Sequence, residues 1–573
     1  MQRSNIRWRV GRAPGLIYSM ILLAPLAHAE QLPIFRVSPE PVTEARGAAL
    51  LMAATGGRIK QDIQTLERDG TLVQTLGDKQ LEIEGASGGV FMRDTARLWN
   101  TELEPKLPSQ EEARRIAERF IVGNQLLPGN DKYVVSDFNG YSETAISPDS
   151  GDPTEKRQLD VHVNYSVQLS VPREAGRADR LPIVGGGGDF KVAIGEGGEI
   201  IGYAGVWRPI MDVETMAEII PQKQAEEQYV KSLGEMKVTK VASELAYYSA
   251  PSFEKQELLT PVWVMRGEGE VGGERIPLRI AFIAATEYGP VWRAPEGMPR
   301  EQAQRPNDWS LDGDEQVSNP SLLDWLVGPA HAASGFEGGA SWIGPSQGLG
   351  GSPANAQGFV DGLAAAGWDI NFNWGEWTAF ESDWNSADDS WVDAADFVFY
   401  TGHANENGWV LNVPDDTFLN FSEVGGWPGS PNDRWGQNDL EWMIIAACGP
   451  HQSSHFVGSV GNAFDRWRGA LDGMHVFMGY GAVTYDNTTE GARVVQLARA
   501  GWTVIDAWFR AAWEIQPSTN GFGAPNGPNI LVTAMYAEKP GINTRSDRIW
   551  GTGTTVADAR EPGQIRWLLW SGT

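Results

Sequence analysis

Apolar positions in this chain recur with two different periods. After Ser109-Gln110-Glu111-Glu112, which has the spacing of a capping box, Ala113, Ile116, Ala117, Phe120 and Ile121 fall at i, i+3, i+4, i+7 and i+8. That spacing predicts an amphipathic helix stopped near Gly123-Asn124. Val161, Val163, Tyr165, Val167 and Leu169 instead alternate with His162, Asn164, Ser166 and Gln168, the period of a strand with one face in water. His162 is expected on that wet face as a solvated side chain. Phe190, Val192 and Ile194 run into Gly197-Gly198 and a second apolar run at 200–206, the chemistry of a hairpin. The order then repeats, with a helix marked by Ala225, Tyr229 and Leu233 and closed by Gly234, and strands at 245–248, 262–265 and 276–283. Helix plus antiparallel sheet, twice, predicts α+β repeats over 106–210 and 211–292. Residues 30–105 show no strong period and read as an ordered lead-in.

Between 293 and 340 the composition shifts to Pro, Gly, Ser, Asn and Asp, as in a linker; its His331 takes no role. From 341 to 573 the pattern changes again. In the loop GPSQGLGGSP no Gly-Lys-Ser/Thr follows the glycines and the chain is acidic, which argues against a phosphate loop. Ser352 is expected to cap a helix with Pro353 at its first position and Ala356, Phe359, Val360 and Leu363 as its buried stripe. Trp368, Ile370, Phe372 and Trp374 alternate as a strand. The runs FVFY at 397–400 and WMII at 442–445 are too short for helices and rich in aromatic and β-branched residues, as in strands buried on both faces. A strand at 476–480, a helix at 492–513 broken near Gly501, and a strand at 530–535 follow. This sequence of elements predicts a doubly wound, mostly parallel α/β sheet.

Composition narrows the function. The chain has 573 residues, ample for about three domains, and 41% of them are hydrophobic, enough for real cores. A net charge of -28 argues against nucleic acid as a partner, because that affinity comes largely from Lys and Arg neutralising phosphates. In residues 1–29, Arg3, Arg7, Arg9 and Arg12 precede an apolar run that ends at Ala27-His28-Ala29, the pattern of a secretory signal. No later segment is long enough to span a membrane, and no cysteine follows the signal to accept lipid, so a secreted or periplasmic protein is expected. The single cysteine, Cys448, rules out an internal disulfide and leaves either a buried small hydrophobe or a working thiol.

The candidate chemistry sits where the two buried runs end. DFVFYTGHA delivers His403 and LEWMIIAACGP delivers Cys448, both beyond the carboxyl ends of predicted strands, where open α/β sheets bind ligands. A thiol needs a nearby base or cation to ionise at neutral pH, and histidine supplies one. A hydrophobic block ending in His and a small residue, followed by a block ending in Ala-Cys, resembles the dyad signature of clan CD cysteine peptidases, which include caspases, metacaspases, legumain and gingipains. The resemblance implies a caspase-like domain over 341–573, Cys448 as nucleophile and His403 as its proton carrier. It also implies an oxyanion site formed by the backbone N–H groups of Cys448 and Ala404. Two departures stand out. Ala404 replaces the usual glycine after the histidine, and Ala446 replaces the acidic residue that helps shape the specificity pocket in legumain and metacaspases. The stretches LDGMHVFMGYGA and AWFRAAW are similar to those of an uncharacterised group of secreted bacterial proteins. The α+β repeats resemble, in pattern only, the PepSY-like propeptide modules that precede some secreted peptidases.

Other constellations stay open on sequence alone. Cys448, His451 and His455 have the spacing C-x2-H-x3-H and offer ligands for zinc, with His403 as a fourth. His475 offers a papain-like order. Asp383, Asp388 and Asp389, or Asp415 and Asp416, offer oxygen ligands for calcium but lack the glycine and terminal Glu of a calcium loop, and read as solvated loop acids. Trp409, Trp427 and Trp435 either line a groove or pack in the interior. Asp465, Asp472 and Asp486 are candidates to receive a Lys or Arg side chain of a substrate. The leading expectation is an exported cysteine endopeptidase without a cofactor, acting on polypeptides. Its N-terminal region would assist folding or block the groove, and sulfur would face a ring nitrogen in an accessible cleft. The alternatives are a non-catalytic binding protein on the same fold and a metal-binding protein.

Overall fold

The computed structural model describes residues 30–57, 62–127, 133–136, 145–148, 157–172, 178–290, 335–412, 417–425, 434–454, 460–521, 529–539, 541–558 and 565–573. The expected signal segment, the expected linker as far as residue 334 with His331, and Asp415, Asp416, Trp427 and His455 lie outside them. The protein is mixed α/β and dominated by strands.

The N-terminal unit comprises β1 (Gln31–Val37), α1 (Glu44–Ala54), β2 (Gln64–Arg68), β3 (Thr71–Leu76), β4 (Lys79–Glu84), β5 (Val90–Asp94), α2 (Gln110–Gly123) and β6 (Tyr133–Ser136). Beyond β7 (Ala145–Pro148) come β8 (Val161–Pro172), β9 (Ala178–Val184), β10 (Asp189–Ile194), β11 (Ile200–Gly205), β12 (Ile210–Glu218), α3 (Gln222–Ser232), β13 (Lys237–Tyr248), β14 (Leu258–Val271) and β15 (Glu274–Ala284). The two repeats and the lead-in share one 14-stranded sheet, ordered β12-β1-β14-β13-β9-β8-β10-β11-β5-β4-β3-β2, with β15 on β14 and β6 on β8. The lead-in is therefore part of the fold, supplying β1 between β12 and β14 and β2 to β5 at one edge. Helix α2 forms as its spacing predicts: Ser109 Oγ accepts the Glu112 N–H at 3.3 Å, and Ala113, Ala117, Phe120 and Ile121 are buried. The β14–β15 ladder carries one irregularity with a consequence for the site. Met265 pairs with Ala281 and Gly267 with Leu278, so Arg279 and Ile280 stand together opposite Arg266 in a β-bulge.

The C-terminal unit comprises β16 (Glu337–Trp342), α4 (Ser352–Ala364), β17 (Asp369–Gly375), β18 (Phe397–Thr401), β19 (Ala404–Asn405), β20 (Gly408–Val410), β21 (Phe418–Asn420) and β22 (Trp442–Ala446). It continues with α5 (Ala463–Trp467), β23 (Val476–Tyr480), α6 (Glu490–Arg499), α7 (Val504–Ile515), β24 (Leu531–Lys539), β25 (Ile542–Asn543) and β26 (Ile565–Gly572). Strands β17-β16-β18-β22-β23 run parallel in that order, and β24, β26 and β7 continue the sheet antiparallel. Its two faces are covered differently. Helices α4, α6 and α7 pack on the face of Phe397, Phe399, Trp442 and Ile444, while Trp384, Trp409, Trp435 and Trp467 cover the face of Val398, Tyr400, Met443 and Ile445. The helix expected at 492–513 is two helices, parted at Gly501, whose φ of 87° only glycine adopts readily.

The polar edge of β8 and β10 does not face water, and this corrects the reading of His162. That side chain is 1% exposed, 3.1 Å from Asp160 Oδ1, with its ring against Trp513 at 4.8 Å. Neighbouring polar groups find partners in the C-terminal unit: Lys191 Nζ donates to the Trp513 and Gln516 carbonyls, and Asp189 accepts from Ser518. The stripe that alternates as a wet face is the interface between the units.

Candidate active site

In the β18–β22 ladder Thr401 stands opposite Ala446, so His403 and Cys448 each lie two residues past the paired ends of adjacent parallel strands. Alternation sends Cys448 to the same side as Trp442, Ile444 and Ala446, the helix face. The turns that follow need glycine. Gly449 has φ 73°, and a Cβ on Gly402 would fall 2.1 Å from the Tyr400 hydroxyl.

Both groups are fully buried, against the expectation of an accessible cleft. The Thr484 N–H donates to Cys448 Sγ at 3.5 Å, and Thr484 Oγ1 lies 3.9 Å from the same sulfur. Burial pushes the thiol up to about 11, although the Arg279 charge pulls the other way. His403 Nδ1 accepts the Arg279 backbone N–H at 3.1 Å, and Nε2 lies 3.0 Å from the Gln347 carbonyl. With Nδ1 accepting and a carbonyl facing Nε2, the ring proton sits on Nε2. Burial pulls its pKa down to about 4, with the Gln347 hydrogen bond opposing. At neutral pH the thiol and imidazole are thus both uncharged, and their hydrogen bonds go to Thr484, Arg279 and Gln347 instead of to each other.

The segment that meets His403 is β15. Its bulge turns Arg279 and Ile280 away from β14 and onto the loop that follows β23 in the C-terminal unit. The Ile280 N–H donates to the Thr484 carbonyl at 2.9 Å, and its carbonyl accepts the Asp486 N–H at 2.8 Å. The Arg279 side chain, 0% exposed, reaches between the strand ends. Its Nη1 donates to Thr401 Oγ1 and its Nη2 to the Tyr485 carbonyl, each at 2.7 Å. Asp486 Oδ1 lies 3.9 Å from Nη1 and Glu490 Oε2 3.5 Å from Nη2. The acids are themselves held: Asp486 accepts the Gly351 N–H at 2.8 Å, and Glu490 accepts from the Tyr480 hydroxyl and Gln516 Nε2 at 2.6 Å. Burial raises Asp486 to about 6 even with Arg279 beside it. Ser352 is no cap. Gly351 precedes the helix, and the Ser352 hydroxyl lies 3.3 Å from Thr401 Oγ1 and 3.4 Å from Asp486 Oδ1.

Residues 340–572 match a family described as a domain of unknown function, DUF6345. No curated protein matches the chain. Among solved structures, the chain is similar to an uncharacterized protein from Eubacterium rectale at 12% identity, covering 46% of this chain and 86% of that one with a TM-score of 0.22, an overlap that carries no argument about fold or activity.

Of the three acids proposed for a substrate side chain, the structure brings Asp486 to the site. Asp465 pairs on the surface with Arg468 at 3.8 Å, and Asp472 lies 3.8 Å from Arg434. Ala404, directly after His403, opens β19 and is fully buried. His451 turns to the other face, with Nδ1 2.8 Å from Thr533 Oγ1 and its ring on Phe477, so it does not share Cys448's surroundings as a zinc pair would. His475 is likewise committed elsewhere, 2.6 Å from Asp547. Asp383 and Asp388 are 1% exposed and so are not the solvated acids expected, while Asp389 accepts from Asn438. Trp409 and Trp435 are interior packing, not groove lining. Among the described residues, one group of acids has the spacing to hold a metal ion: Glu337, Asp396 and Asp439, with ligand atoms within 4.8 Å. It lies at the opposite, amino-terminal ends of β16 and β18, and Asp396 already accepts from the Glu337 N–H and Trp550 Nε1.

Sequence reasoning missed Arg279, Gln347, Thr401, Thr484 and Glu490. One signal was present: Arg279 is a charge inside the otherwise apolar run IPLRIAFIA, and a cation buried in a strand calls for an anionic partner.

Proposed function

We propose that the chain is an exported cysteine peptidase of the clan CD kind, whose caspase-like C-terminal domain is held closed by its N-terminal unit. The observation that carries this reading is the matched placement of His403 and Cys448, two residues past the ends of adjacent parallel strands on one sheet edge. In the open site the Cys448 proton passes to the imidazole, and the sulfur forms a bond to the scissile carbonyl carbon. The carbonyl oxygen is held by backbone N–H groups of the Cys448 and Ala404 turns. The C–N bond then breaks as the leaving amine takes the proton from His403, and water cleaves the thioester to restore the thiol. Gln347 orients the ring by fixing the proton on Nε2, which leaves Nδ1 as the basic nitrogen.

The test is hydrolysis of a peptide library by purified chain before and after limited proteolysis of its N-terminal unit, with Cys448→Ala and His403→Ala alongside. Activity that appears on proteolysis and is lost in both variants supports the reading; undiminished hydrolysis by either variant overturns it. A second reading, a binding protein without catalysis, is favoured by the complete burial of Cys448 and its uncharged thiol. It predicts a thiol that resists peptide-based alkylating inhibitors even after proteolysis.

A further inference from the structure

We infer that the pocket formed by Thr401, Tyr485, Asp486 and Glu490 is an arginine-recognition site, and that β15 fills it with the chain's own Arg279 in place of an arginine-bearing polypeptide. The inference rests on the peptidase reading above and supplies its substrate class and its mode of restraint.

Three features separate this arrangement from an ordinary buried ion pair. First, the contact is made by backbone as well as side chain. Ile280 exchanges two hydrogen bonds with Thr484 and Asp486, at 2.9 and 2.8 Å, a parallel β-bridge to the loop between β23 and α6 of the kind a bound peptide backbone can make. Second, the same residue that fills the pocket touches His403: the Arg279 N–H occupies Nδ1, the nitrogen needed as base. Third, the pocket is shaped for a fork. Thr401 Oγ1 and the Tyr485 carbonyl take one Nη each, with a carboxylate behind each nitrogen. A lysine ammonium would present one point to acceptors that are set for two nitrogens. The strand is supplied by a bulge, a device that re-aims side chains next to functional sites. A cleft of about 330 Å³ lined by Gln228, Ser232, Phe282 and Pro345 shares Asp486 with the pocket.

The experiment uses the full chain with its single cysteine. Arg279→Met keeps the apolar stem and removes the fork, and alkylation of Cys448 by iodoacetamide is followed by mass spectrometry. The expected result is labelling at least about tenfold faster than in the wild type. N-acetyl-arginine amide should restore protection, whereas the lysine and norleucine amides should not, and adding Asp486→Asn should remove the arginine effect. Labelling at the wild-type rate, or equal protection by all three amides, overturns the inference. If Arg279→Met fails to fold by circular dichroism, Arg279→Lys keeps the buried charge and takes its place: faster labelling with arginine-selective protection supports the inference, and unchanged labelling overturns it. The two proposals fail separately. Hydrolysis by the opened chain without preference for arginine leaves the peptidase and removes the pocket. Arginine-selective protection without hydrolysis of any peptide leaves the pocket and removes the peptidase.

Discussion

Replacing Arg510 by Met should loosen the N-terminal sheet from the helices it covers. Arg510 is 0% exposed, with Nε 3.0 Å from Glu514 and Nη2 2.6 Å from Glu82 on β4, and its guanidinium lies 4.0 Å above the Phe91 ring. Arg493 completes the cluster, bonding Glu514 at 2.6 Å and Glu84 at 2.8 Å. Without Arg510, Glu514 and Glu84 keep their hydrogen bonds to Arg493, while the half-buried Glu82 loses the guanidinium that pairs with it. Removing one partner of a buried pair costs about 3–5 kcal/mol, and the lost contact with Phe91 adds about 1. A loss of about 4 kcal/mol at pH 7.5 is expected, read from urea unfolding followed by tryptophan fluorescence. The pH dependence carries its own check. Burial raises Glu82 and Glu514, but the two arginines outweigh it and hold both below the ordinary carboxylate range. Their contribution in the wild type is therefore present above the unfolded pKa near 4.5 and is lost as pH falls through the folded values. In Arg510→Met the same groups shift upward and the penalty disappears as they protonate, so the deficit should shrink between pH 7.5 and pH 5. A deficit below about 1 kcal/mol, or one of equal size at both pH values, would refute the account.

Three further outcomes are expected. Trp409→Ala, which removes a 0% exposed ring stacked on Trp467 at 5.3 Å, should cost about 3–5 kcal/mol in the same unfolding assay. Gly449→Ala forces a Cβ to 2.5 Å from Gln452 Nε2 at φ 73°, and should cost about 1–3 kcal/mol while disturbing the turn that holds Cys448. Burial lowers the His475 pKa, but Asp547 and Asp558 outweigh it and raise it above 6.5. Its contribution is full below about 6.5 and is lost as pH rises through the folded value. The stability slope of the wild type above that pH should be absent in His475→Gln, checked by urea midpoints at pH 6, 7.5 and 9.

The pair at the centre of the site was legible because it depends on local rules. FVFY and WMII are strands on length and residue type alone, and a strand's end fixes where the next side chain goes. Asp486 was legible as a candidate only among three equivalent acids, since nothing local to Asp465 or Asp472 marks them as partners of Arg468 and Arg434. The polar stripe of β8 and β10 misled for a related reason. A period of two tells which residues share a face, and a face satisfied by water has the same composition as one satisfied by Trp513, Gln516 and Ser518 across an interface.

The sequence by itself determined the strongly periodic strands and helices, the Ser109 cap, the break at Gly501 and the equivalent positions of His403 and Cys448, because these follow from periodicity and from neighbours a few residues apart. Tertiary structure alone decided that Arg279, 124 residues before His403, sits against its ring, and that His403 and Cys448 are both buried and uncharged. Those outcomes arise from a bulge in one unit laid on the edge of the other. The energies that hold it there, a buried guanidinium between carboxylates and a strand-like pair of backbone bonds, exist only once the two units meet.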